Sequence, residues 1–182
     1  MNRKSIYLVC LTIFPFMVGS GVIYSVLSLY FAELGASKSQ VGLIYTTGAI
    51  AAAVTAPLWG KASDRLGRRR VLLGSMGLFS MVFLGYALST HYRQLFLVQV
   101  GEGIAWAALG ASAMALIADL APTEERGQAM GIYNTAWSIG WIVGPCLGGF
   151  LTDYLGFKPA FLICVGMTLG GMALGVLLLP RR

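Results

Sequence analysis

Six stretches of this 182-residue chain are almost free of charge: Ser5–Ala32, Val41–Gly60, Val71–Thr90, Gln94–Ala118, Gly127–Thr152 and Pro159–Pro180. Each holds the roughly 20 residues that a helix needs to cross a hydrocarbon core. Glu102 is the one charged residue inside them. Composition excludes the soluble alternative, because only 11% of residues are charged and 57% are apolar, with a mean hydropathy of +0.76. A soluble domain carries about twice that charge. The expected fold is therefore all-α and integral to the membrane, a single bundle of six transmembrane helices over residues 1–182.

The charges lie between the apolar stretches and set an orientation. Arg3, Lys4, Lys61, Arg65, Arg68, Arg69, Arg70, Arg126, Arg181 and Arg182 fall on one side, and Lys38, Arg93 and Lys158 on the other. Cytoplasmic loops carry the excess of Lys and Arg, so both termini are expected inside a multi-pass protein of the cell's inner membrane. Met1-Asn2-Arg3-Lys4 starts like a secretory signal, but the apolar run after it is too long and lacks a small-residue cleavage site. The net charge of +6 does not call for nucleic acid, since the cations sit where membrane orientation requires them.

Cofactor and metal chemistry find no support in the residue pattern. Cys10, Cys146 and Cys164 show no paired spacing and read as small buried hydrophobes. His91, the only histidine, falls in an expected external turn, so no metal cluster or catalytic pair lies at membrane depth. An intramembrane enzyme is not expected.

An internal repeat organises the six stretches. Gly60, Asp64, Leu66 and Gly67 recur as Gly149, Asp153, Leu155 and Gly156, every pair 89 positions apart, and the same offset matches Gly42 with Gly131 and Thr46 with Thr135. Residues 5–90 and 94–180 thus read as two copies of a three-helix unit. Three is odd, so the copies insert with opposite orientation, as a three-plus-three inverted repeat.

Three motifs carry a family resemblance over nearly the whole chain. Gly60–Arg70 reads G-x-x-x-D-R-x-G-R-R-R and closely resembles the loop signature of the major facilitator superfamily of transporters, with Leu66 where an aromatic is commoner. Asp119–Gly127 is similar to the D-x-x-P-x-x-x-R-G run of many members, and Gly140–Gly149 matches G-x-x-x-G-P-x-x-G-G, the fifth-helix pattern associated in that family with drug:proton antiporters. The resemblance implies the amino-terminal half of a major facilitator fold, exporting small lipophilic or cationic substrates by alternating access in exchange for protons. Uptake of a sugar or organic acid is the alternative within transport, and a non-transporting fragment or assembly subunit the alternative outside it. Because the family's site lies between two six-helix halves, the resemblance also implies a second half: a missing carboxy-terminal half, a separate chain or a second copy.

Candidate site residues fall into three groups. Gly60 and Gly67 permit a tight turn, and the resemblance implies that Asp64, Arg65, Arg68 and Asp119 form a network latching the cytoplasmic side; the plainer reading is that the arginines only orient the protein and bind anionic lipid. Gly140, Gly144 and Gly148 share one helix face beside Pro145 and Gly149, which serves either as a hinge against the opposite half or as a packing seam. Glu102, placed near mid-depth of its stretch, has Gln99 and Trp106 on its own face, and Asn134, Trp137 and Trp141 repeat that spacing on helix five. These six residues are expected to wall a cavity for a lipophilic or cationic substrate, with Glu102 carrying the coupling proton. A structural Glu102 bonded to a neighbour such as Gln99, and tryptophans that only pack, are the competing readings.

Two positions depart from the family pattern. Many members have R-x-x-Q-G where this chain has Gln99-Val100-Gly101-Glu102-Gly103, so a cation is missing and a carboxylate is gained. Tyr24 stands where many drug exporters have proline.

Overall fold

The computed structural model describes residues 3–179, together with the side chains of residues 4–179. The expected inner cations Arg181 and Arg182, the side chain of Arg3, and Pro180 lie outside the described residues. Among the described residues there are six α-helices: α1 (Arg3–Glu33), α2 (Lys38–Leu66), α3 (Arg68–Leu88), α4 (Tyr92–Leu120), α5 (Arg126–Leu155) and α6 (Phe157–Leu178). A short 3₁₀ turn, Thr123–Glu125, follows Pro122 and leads into α5.

Five of the helices are long and apolar enough to cross a membrane. The exception to the expected six is α5, which has the length, 30 residues, but not the hydropathy. Its glycines, together with Asn134, Thr135 and Ser138, dilute its apolar character. Inside the bundle, helix hydroxyls return their hydrogen bonds to the preceding turn, as Thr12 does to Leu8, Ser112 to Ala108 and Thr168 to Cys164. That keeps polar groups satisfied where water is absent.

Packing runs in one order: α2 on α4, α4 on α3, α3 on α6, α6 on α1 and α1 on α5. Exchanging α1 with α4, α2 with α5 and α3 with α6 returns the same order reversed. This is the arrangement of two three-helix units related by a pseudo-twofold axis. The core is built mainly on α1, whose Ile13, Phe16, Met17, Ile23 and Leu27 are fully buried, and on Phe79 and Phe83 of α3.

The repeated glycines divide into two roles. Gly67 and Gly156 form the one-residue turns between α2 and α3 and between α5 and α6, with φ of 94° and 83°. Residues with a Cβ avoid that region, so only the last glycine of each repeated motif is demanded by the turn. Gly60 was expected to help make the turn, but it lies within α2 with open space where a Cβ would stand. The charged segment Lys61–Arg70 is likewise not a loop: α2 runs to Leu66 and α3 resumes at Arg68, because a helix satisfies its own backbone wherever the bilayer ends.

The cysteines separate in the same way. Cys10 and Cys164 are buried as expected, but Cys146 is exposed, since it lies on the face of α5 turned away from α1.

Candidate functional site

Close helix approach creates the central site. At Gly103 of α4, an added Cβ would come within 2.0 Å of the Gly48 carbonyl oxygen and 2.9 Å of the Ala52 nitrogen, so α2 and α4 touch backbone to backbone. Gly48 in turn lies against Gln99. This seam holds Tyr45, Ala49 and Ala52 of α2 opposite Gln99, Glu102 and Trp106 of α4, around a concavity of about 210 Å³ that Tyr24 of α1 completes.

Glu102 sits at the base of that concavity, 2% exposed. The Tyr24 hydroxyl donates to its Oε1, and the Tyr86 hydroxyl of α3 lies 2.5 Å from its Oε2. Tyr86 also lies 2.8 Å from Gln99 Oε1, while Trp106 Nε1 donates to the Tyr24 oxygen at 2.6 Å. Tyr86 is held firmly: the Tyr30 hydroxyl donates to its carbonyl at 2.7 Å, and its ring packs on Phe31 and Phe161. Glu102 is ten residues into α4 and eighteen from its end. At 1.5 Å per residue it lies about 15 Å from the end beside His91 and about 27 Å from the other, displaced from the mid-depth position expected.

Aromatic rings continue the wall. The Trp106 ring centroid is 5.0 Å from that of Phe79, 5.8 Å from Phe16 and 5.7 Å from Trp137. Trp141 reaches Tyr24 at 6.0 Å and is 40% exposed. Of the six residues expected in the cavity, Gln99, Glu102 and Trp106 share one hydrogen-bonded cluster, and Trp137 and Trp141 join it through ring contacts. Asn134 is exposed on α5 outside that cluster. Tyr24 and Tyr86 were not expected there. Their signal was an intramembrane phenol, but no spacing in sequence links α1 or α3 to Glu102.

At the opposite end of the bundle, Arg68 bridges two helices. Its Nη1 lies 2.5 Å from Asp64 Oδ1 and its Nε 2.7 Å from Asp119 Oδ2. Arg65 is exposed and takes no part in this bridge. Neighbouring Arg69 turns to the C-terminus of α6, where Nη2 donates to the carbonyls of Val176 at 2.7 Å and Gly175 at 3.3 Å. A cation there meets both the unsatisfied carbonyls and the negative end of the helix dipole. Sequence reading missed this cap because it joins residues more than a hundred positions apart.

The glycines of α5 face α1. A Cβ at Gly140 would stand 2.7 Å from Met17 Cβ, at Gly144 2.7 Å from Gly21 Cα, and at Gly148 2.6 Å from the Val22 oxygen. Pro145 lies on the same seam, with its Cδ 3.3 Å from a Cβ built on Gly21, inside a helix that continues to Leu155. Gly149 faces open space. The contacts of Gly140, Gly144 and Gly148 are thus made within this bundle.

Fold and site together define a polytopic helical membrane protein that keeps a hydrogen-bonded carboxyl within its bundle. The chain belongs to the Major Facilitator Superfamily, whose profile matches residues 9–182. It is 30% identical over 89% of its length to the uncharacterized MFS-type transporter MJ1560 of Methanocaldococcus jannaschii, covering 42% of that protein. To Multidrug resistance protein 2 of Bacillus subtilis it is 29% identical over 99% of its length, covering 45% of that protein. Its fold matches the crystal structure of the human organic anion transporter MFSD10 (TETRAN) with a TM-score of 0.81 at 21% identity, over 98% of this chain and 47% of the other. The chain spans less than half the length of these curated relatives and fits the amino-terminal half of the family fold.

Proposed function

We propose that this chain is one half of a proton-coupled efflux permease, in which Glu102 exchanges a proton as a lipophilic or cationic substrate meets the wall formed by Tyr24, Trp106, Trp137 and Trp141. The observation that carries this reading is the buried carboxyl held only by neutral donors at the base of an open, aromatic-sided concavity. A carboxylate in such a place costs several kcal/mol if left ionised without partners, about 2.5–3.5 on insertion scales by analogy with aspartate. Protonation removes most of that cost. A cation arriving against Glu102 removes it too, so proton and substrate compete for one group. The drug-resistance name of the Bacillus subtilis relative supports export as the direction.

In this reading both termini are cytoplasmic, the Arg68 bridge to Asp64 and Asp119 closes the cytoplasmic side, and a second six-helix half supplies the opposite wall. The bridging aspartates are 65% and 54% exposed. Exposed pairs contribute about 0.2–1 kcal/mol, which suits a contact that opens in every cycle.

The test is Glu102→Gln in the complete assembly, which keeps the shape of the side chain and removes its titration. Proton-driven uphill transport should be abolished while downhill exchange persists. Accumulation at the unmutated rate would locate coupling elsewhere.

A further inference from the structure

The hydrogens around Glu102 do not match its acceptors, and the mismatch sits at Tyr86. Trp106 has one N–H, donated to the Tyr24 oxygen and also facing the Glu102 carboxyl, and Tyr24 has one O–H, directed at Glu102 Oε1. Tyr86 also has a single O–H, yet two acceptors lie within its reach: Glu102 Oε2 at 2.5 Å and Gln99 Oε1 at 2.8 Å. One hydrogen serves only one of them at a time.

We infer that Tyr86 is a positioning residue for the Glu102 proton, its hydroxyl hydrogen passing from Glu102 to Gln99 when the carboxyl is protonated and back when it ionises. When Glu102 is ionised, both tyrosines donate to it. When a proton is on Oε2, that oxygen becomes the donor, the Tyr86 oxygen accepts, and the Tyr86 hydrogen turns to Gln99. Neither state leaves the carboxyl without partners, which is the condition for a buried group to titrate without a large penalty in either direction. Gln99 is the necessary second acceptor, and it packs against Gly48 of α2, so the exchange also reaches the α2–α4 seam.

Other groups around Glu102 are not placed to take this part. Tyr24 of α1 spends its hydrogen on Oε1, Tyr45 of α2 pairs its hydroxyl with Ser28 at 3.1 Å, and α5 presents the Trp137 ring through Trp106. The inference rests on the reading that Glu102 titrates in function, but its test does not use transport.

That test is infrared titration of the carboxyl C=O stretch in this chain in lipid nanodiscs, with Glu102→Gln identifying the band by its loss. Tyr86→Phe removes a donor to the ionised form, so the midpoint should move to higher pH. Gln99→Leu leaves the Tyr86 hydrogen with Glu102 as its remaining acceptor, which favours the ionised form, so the midpoint should move to lower pH. Each shift should be about one pH unit, the scale of one charge-assisted hydrogen bond against a neutral one. A merely structural role would loosen the site and admit water in both variants, moving both midpoints the same way. Opposite shifts support the inference; shifts in one direction, no shift, or no titrating Glu102 band overturn it. Gln99→Met replaces Gln99→Leu if the latter does not fold. Opposite shifts with unimpaired transport in Glu102→Gln would sink the coupling proposal and leave this inference standing.

Discussion

Glu102 has tyrosyl hydroxyls where a salt bridge would have supplied a cation, and that choice of partner matters. A buried carboxylate paired with arginine is held in its charged form, and breaking such a pair is strongly destabilising. Neutral donors hold the group without fixing its charge. The same region shows how tightly single atoms are specified: a Cβ added at Gly103 would meet the α2 backbone, an overlap that cannot be relieved by turning a side chain. Gly103→Ala should therefore push α2 from α4 and lower stability by about 1–3 kcal/mol, the usual scale of overpacking. Gly101→Ala, whose Cβ would stand 3.5 Å from Val82 Cγ2, should leave the thermal unfolding midpoint in detergent nearly unchanged. Equal loss in both variants would remove the special role of the Gly48–Gly103 contact. At this scale sequence reading reached only part of the site. Gln99, Glu102 and Trp106 were legible because a helix puts i−3 and i+4 on one face. Tyr24 and Tyr86 were not, because they meet Glu102 across 78 and 16 positions through tertiary packing.

Among the elements, the helices were legible from charge-free length, whereas their ends and partners were not. Charge marks where the bilayer stops but not where a helix stops, and so α2 carries Asp64 and Arg65 within its last turn. Glycine spacing predicts close approach without naming the partner, and α5 spends its glycine face on α1. The Arg68 bridge depends on this arrangement, since Asp64 lies in the last turn of α2, Arg68 begins α3 and Asp119 lies in the last turn of α4. Removing one carboxylate leaves the guanidinium with the other and leaves the helices intact. Asp64→Asn in the complete assembly should consequently impair transport while membrane insertion, read by protease-protected mass, is unchanged. Transport at the wild-type rate would mean that the cations serve only orientation.

For the whole molecule, orientation and completeness remain as the two large-scale proposals, and each has a direct measurement. A cysteine near Arg69 should be shielded from an impermeant thiol reagent in intact cells, and one near His91 should react; the reverse would invert the topology. The exposed Cys146 must first be replaced by serine, since it offers a competing thiol. Completeness follows from where the packing order ends. Among the described residues none lies beyond α2 on one side or α5 on the other, and both helices leave large apolar side chains uncovered: Ile50, Val54 and Leu58 on α2, Ile142, Leu147 and Phe150 on α5. Lipid can cover such side chains, but it cannot close the Glu102 concavity against both aqueous phases in turn. Alternating access requires that closure, and in this fold it comes from rocking one six-helix bundle against another. A demonstrated monomer of this chain in liposomes should therefore fail to accumulate substrate under a proton gradient, and adding a second six-helix half should restore accumulation. Robust uphill transport by the monomer would refute the need for an opposite wall and leave the concavity to be gated by α2 and α5 alone.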